Sequence, residues 1–270
     1  MSSVRRKPAK ALLCLVLALS VAAVFLLSSS AVFATDTVTN TVTNTKQFDC
    51  SFSTTGHSYF TYRVVGTANL QNALQMESLR QVEGQSNQYE AVLSANIEAS
   101  DLFDEAYAYY HEKYENKHSV FGDYKNIVMS NKNDNGTAGF PTIEYDIKLP
   151  GNITVNNLDK VTATENTNTI SSITCTPEDH HIHLTMRLGN WDDYATFFTR
   201  VEKELHENGH LISISIPVSI DTSNVKNNIW GEVNGIGSCN LYKFGHLRSG
   251  DNIVSVNSNN SWTITKEGVK

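Results

Sequence analysis

Residues 181–220 read HIHLTMRLGNWDDYATFFTRVEKELHENGHLISISIPVSI. Three patterns follow one another in this stretch. Ile182, Leu184, Met186 and Leu188 alternate with His181, His183, Thr185 and Arg187, the period of two of a strand with one buried face. Trp191, Tyr194, Ala195, Phe198, Val201 and Leu205 then recur at helical spacing over 191–208. Asn190 can cap that helix, Asp193 sits at its third position, and Gly209 supplies the left-handed residue that ends it. Ile212, Ile214, Ile216, Val218 and Ile220 return to alternation, against Ser213, Ser215, Pro217 and Ser219. Pro217 has no N–H for a ladder, which marks an edge strand or a bulge. Links of one or two residues on each side of the helix predict a parallel strand pair in one sheet, joined by a right-handed crossover.

Strand patterns continue outward from this unit. Ile143, Tyr145, Ile147 and Leu149 alternate before the Pro150-Gly151 turn, and weaker strands are expected at 59–65, 91–97, 170–176, 239–244, 253–257 and 262–266. One more helix is expected over 101–116, with Phe103, Ala106, Tyr107, Tyr110 and Tyr114 on its apolar stripe and Ser100 or Asp101 as its cap. Many strands with two amphipathic helices packed on sheet make the fold class α+β.

The N-terminus carries the signs of export. Arg5, Arg6, Lys7 and Lys10 precede an apolar run over 11–27, and Ala31-Val32-Phe33-Ala34 places small residues for cleavage before Thr35. Residues 1–34 therefore read as a signal peptide, or as an uncleaved N-terminal anchor; either way the body is expected outside the cell, secreted or on the outer face of the membrane. Residues 35–46, with TVTN written twice, are expected as a Thr/Asn-rich tether. Residues 47–270 form the globular region, with a division into two subdomains near 165–175 as one option. The chain has 270 residues and a net charge of −7, and from Thr35 onward the balance is −11, with 17 Lys and Arg against 28 Asp and Glu. Such acidity excludes a phosphate-binding footprint, so no nucleic-acid partner is expected. It equally disfavours an anionic bilayer, which leaves the N-terminal segment, if uncleaved, as the membrane contact. Cys50, Cys175 and Cys239 follow the leader, an odd number whose pairing the sequence does not give.

Two constellations carry possible chemistry. His206-Glu207-Asn208-Gly209-His210 resembles, over these five residues, the HExxH of the zincin metallopeptidases. That resemblance implies His206 and His210 as zinc ligands and Glu207 as the base acting on a zinc-bound water. Gly209 reads as a helix stop inside the motif, and Glu204 stands where that family has an uncharged residue. The second is Glu178-Asp179-His180-His181-Ile182-His183, where His181 and His183 share a strand face and could chelate one metal, with Asp179 orienting a ring. The bland alternative for this second cluster is a polar face opposite Ile182, Leu184 and Met186. There is no GxSxG, P-loop or dinucleotide fingerprint.

The expectation is an exported binding protein, non-catalytic and without cofactor, whose partner is an extracellular protein or a carbohydrate. The alternatives are a zinc hydrolase built on residues 206–210 and a structural component of the envelope.

Overall fold

The computed structural model describes residues 40–43, 63–116, 118–119, 122–123, 129–132, 138–139, 141–189, 194–207, 209–243 and 252–270. The leader, Cys50, Trp191 and most of the Thr/Asn-rich stretch lie outside these residues. Val38–Lys270 forms one unit. Its elements in chain order begin with strands β1 (Asn40–Thr43), β2 (Val64–Thr67), β3 (Leu74–Gln81) and β4 (Gln88–Glu98), then helix α1 (Ala99–Lys113). Four short strands follow: β5 (His118–Ser119), β6 (Gly122–Asp123), β7 (Met129–Lys132) and β8 (Ala138–Gly139). Next come β9 (Thr142–Lys148), β10 (Ile153–Val155), β11 (Thr162–Glu165), β12 (Ile170–Pro177) and β13 (His181–Leu188). Helix α2 (Tyr194–His206) leads to β14 (Leu211–Asp221), β15 (Ile229–Lys243), β16 (Asn252–Thr265) and β17 (Gly268–Val269). The class is α+β, and mostly β.

Among the described residues, ten strands form a larger sheet whose main path runs β1-β12-β13-β9-β15-β16-β17, and five form a smaller one ordered β10-β14-β4-β3 with β11 also on β14. The period of two explains which faces meet. Ile143, Tyr145, Ile147, Ile182, Leu184 and Met186 of the larger sheet share one hydrophobic core with Leu93, Ile97, Ile212, Ile214, Ile216, Val218 and Ile220 of the smaller. The Thr/Asn-rich stretch contributes β1, which pairs antiparallel with Ser172–Cys175 of β12; its Thr and Val residues favour extended backbone.

The strand-helix-strand unit at 181–220 is present, but its predicted parallel pairing is not. Strand β13 is flanked by β12 and β9, both antiparallel. Strand β14 belongs to the other sheet, between β4 on one side and β10 and β11 on the other. Helix α2 therefore carries the chain between sheets. The reason is local: the short turn at Glu178, closed by the Glu178 and His181 backbone groups, forms the β12–β13 hairpin and occupies the edge a crossover partner would need. Pro217 sits in a central strand without loss. Its carbonyl accepts from Asn156 N–H, so its missing N–H faces the interval between β10 and β11, where the ladder is already broken.

The helices also depart from expectation in detail. Helix α1 begins two residues early, capped by Glu98 without a side-chain bond, not by Ser100 or Asp101. Its first N–H, on Ala99, is satisfied by the His210 carbonyl at 2.9 Å, which makes a side-chain cap unnecessary there. Phe103, Ala106 and Tyr110 of the predicted stripe are buried. On α2, Phe198 and Val201 are buried as predicted, joined by Phe197 and, unexpectedly, Glu204. Tyr110 stacks on Phe198 with ring centroids 4.3 Å apart, and Phe103 meets Phe197 edge-on at 5.2 Å.

Candidate functional site

The HENGH segment is a helix-to-strand turn. Helix α2 ends at His206, Gly209 takes φ +90°, and β14 starts at Leu211. His206 and Glu207 are exposed. His210 lies beyond the helix, its ring Nε2 3.0 Å from Glu207 Oε2. Glu207, the residue the resemblance implies as base, thus engages one of the two implied ligands directly. The imidazoles of His206 and His210 do not lie one turn apart on a helix, because the left-handed Gly209 turns the chain between them.

His181 and His183 do come together, on the outward face of the larger sheet. Their shared partner is Asp146 on the neighbouring strand, not Asp179. His181 Nε2 lies 2.6 Å and His183 Nδ1 2.9 Å from the same Asp146 Oδ1. The far nitrogen of His183 is 3.2 Å from Glu144 Oε2, to which the Thr185 hydroxyl also donates at 2.7 Å. The β9–β13 register sets this up by placing His183 opposite Asp146 and Thr185 opposite Glu144. Partial burial pulls the Asp146 carboxyl upward, but the hydrogen bonds from His183 and His181 outweigh it and hold its pKa below the ordinary value. Among the described residues, no group of three or more His, Cys, Asp and Glu side chains is arranged to hold a metal ion.

A polar trough lies elsewhere, on the outward face of the smaller sheet. Strands β10, β14 and β4 form the floor of a trough of about 680 Å3, lined by Gln88, Thr154, Ser219, Asp221, Lys226 and Trp230 among others. Thr154 and Ser219 are directly opposite in the β10–β14 ladder. At the end wall, Trp230 is 7 % exposed and packs on Tyr89 with centroids 4.7 Å apart. Asn152 braces that wall, donating to the carbonyls of Trp230 and Asp221. Ile229 forms the lip at 58 % exposure. Hydrogen bonds from Ser223 hold the Asp221 carboxyl below its usual range.

A second depression of about 480 Å3 continues along the same face, over Glu90, Asn156 and Pro217 to Arg80 and Lys160. Each floor residue here lies two positions from its counterpart in the first: Gln88 and Glu90, Thr154 and Asn156, Ser219 and Pro217. Residues two apart on a strand share a face and lie about 7 Å from each other. None of these positions was singled out as a site from sequence. The alternating Ser213, Ser215 and Ser219 gave the outward face, but the pairing of β10 onto β14 that shapes the trough has no sequence signal.

No protein-family model matches the chain, and no curated protein matches it. Among solved structures, the chain superposes on a collagen-binding domain from a Staphylococcus aureus adhesin at 9% identity and a TM-score of 0.25, covering 70% of this chain and 96% of that one. It also superposes on the collagen-binding subdomain of the Enterococcus faecalis surface protein ACE at 9% identity and a TM-score of 0.22, covering 76% and 99%. These values are too low to assign a shared fold or a shared ligand.

Proposed function

We propose that the protein acts outside the cell as a non-catalytic binding module, with its ligand laid in the trough on the outward face of the smaller sheet. The export-type N-terminus supports the location. The trough carries the rest: its volume suits a bound ligand, and its walls are braced by Asn152 and by the Trp230–Tyr89 pair. Among the described residues, its lining holds one carboxylate, Asp221, and no His, Cys or second acid, and the Glu90 carboxylate of the adjoining depression is engaged by Arg80. General acid–base hydrolysis with paired carboxylates needs a second such group within reach of the same bond, so the lining supports holding a ligand over turning one over.

The test is calorimetric titration of the exported body against soluble extracellular polymers, both polysaccharides and proteins, with each polymer sized afterwards. Saturable binding with the polymer recovered at unchanged length is expected. Shortened polymer would replace this reading with a hydrolase.

A further inference from the structure

We infer that the trough takes a neutral, hydroxyl-rich chain, a segment of polysaccharide, and not an extended peptide or a polyanion. This rests on the reading of the trough as the binding site, and deepens it.

The trough presents free polar groups. Among the described residues, the hydroxyls of Thr154 and Ser219, the Asn224 amide and the Trp230 indole N–H have no hydrogen-bond partner, although all four residues line the trough. Hydroxyls and amides both donate and accept, which matches a ligand whose own hydroxyls do both. Its charge is nearly balanced. Asp221 and Lys226 offset each other in the first depression. In the second, Arg80 is held by Glu90 at 2.6 Å, leaving Lys160 alone at the far end. Such a lining gives a polyanion little to bind.

The backbone of the floor is already paired. Peptides recognised as strands add to a free sheet edge through main-chain hydrogen bonds. The trough's floor runs over β14, whose two edges are taken by β4 and β10, so recognition falls to side chains. Trp230 in the wall and Ile229 at its lip set apolar surface beside polar groups, as the C–H face of a sugar ring requires. Finally, the two depressions repeat along the strand direction, which suits a chain of repeating units better than a single small molecule.

The experiment is affinity electrophoresis of the exported body through gels containing dextran, yeast mannan, a galactomannan, heparin or gelatin. Ser219→Trp, which fills the trough, is compared with Ser215→Trp, the same change on the same strand outside it, after both are shown to melt as wild type. Retardation by at least one neutral polysaccharide is expected, weakened at least tenfold by Ser219→Trp and unchanged by Ser215→Trp. Ser219→Trp-sensitive retardation by gelatin or heparin alone would overturn the ligand class and leave the trough as the binding site. Retardation by none of the five, or retardation indifferent to Ser219→Trp, would overturn both. Where a neutral polymer retards the protein, Trp230→Phe supplies an independent check: a change in tryptophan emission on adding that polymer, lost in this variant, supports the aromatic wall, and an emission change that persists overturns its part in binding.

Discussion

Glu204, near the end of α2, accepts the backbone N–H of Thr169 at 2.8 Å and, in closer contacts, the Thr169 hydroxyl and the Asn168 N–H. The residue is 2 % exposed. The carboxylate thus fastens the helix to the 166–169 segment, where the chain passes from β11 of the smaller sheet to β12 of the larger. A buried carboxylate is tolerated only when such donors converge on it. Glu204→Ala leaves those donors unpaired and is expected to cost about 3 kcal/mol. Glu204→Gln keeps an acceptor and the volume and is expected to cost about 1 kcal/mol. Urea unfolding midpoints of the two variants check the ordering; equal midpoints for wild type and Glu204→Ala would mean that the tie is absent in solution.

Asp146 links stability to pH. Its folded pKa lies below the ordinary carboxylate value, so the unfolded chain takes up its proton first as pH falls. The stabilisation is therefore fully present above the unfolded value of about 3.9 and is lost as pH drops through the lowered folded value. Because the carboxyl is about one-third exposed, the effect is modest, at most about 1 kcal/mol. Asp146→Asn is expected to be less stable than wild type at pH 6, with the gap closing below about pH 4. Thermal melts of both proteins between pH 3 and pH 6 measure this; a gap that stays constant over that range would remove Asp146 as its source.

Cys175 and Cys239 are buried and free, on inward faces of the larger sheet. Burial pushes the Cys175 thiol up to about 11 and the Cys239 thiol up to about 12. Since the thiolate is the nucleophile, both are expected to resist alkylation in the native protein and to react fully in denaturant. Peptide mapping after iodoacetamide treatment reads each site separately. Rapid native labelling of either would place that strand at the surface.

How much was legible in the sequence follows from which interactions are local. Ile212 to Ile220 announced a half-buried strand because alternation is written in consecutive residues, and the structure buries those five side chains. The same stretch could not say which sheet the strand joins. That choice depends on β4 lying along β14 in register from Glu98 opposite Leu211 to Gln88 opposite Asp221, some 120 residues away in sequence. His181 and His183 were visible as a pair, yet Asp146, which joins them, is 35 residues distant from His181 and reaches it only through the β9–β13 register. In the sequence Glu204 is only a charge beside a motif. Its burial depends on donors from Asn168 and Thr169, which no helical pattern encodes. The trough is the extreme case, since its floor combines three strands far apart in the chain.

The HENGH segment supports the sharpest chemical test. Zinc ligation in the zincin manner needs two histidines four residues apart on one continuous helix, a glutamate turned to the metal-bound water, and a third protein ligand. Here the helix ends at the first histidine, and Gly209, at φ +90°, redirects the chain before the second. His210 is further committed at both ends: its carbonyl accepts the first N–H of α1, and its ring meets Glu207 at 3.0 Å. Extending α2 through His210 would take Leu211 off the Glu98 pairing and strip Ala99 of its acceptor. Protein prepared without chelators is therefore expected to carry far less than one zinc per chain, and EDTA is expected to leave its melting temperature unchanged. Elemental analysis of wild type beside His206→Ala and His210→Ala is the measurement. One zinc per chain, lost in both variants, would show that the segment refolds around metal and would bring the hydrolase forward. Zinc retained there but lost in His181→Ala and His183→Ala would locate a metal site on the Asp146 face instead. A Glu207→Gln variant assayed for polymer cleavage would then separate catalysis from a structural ion.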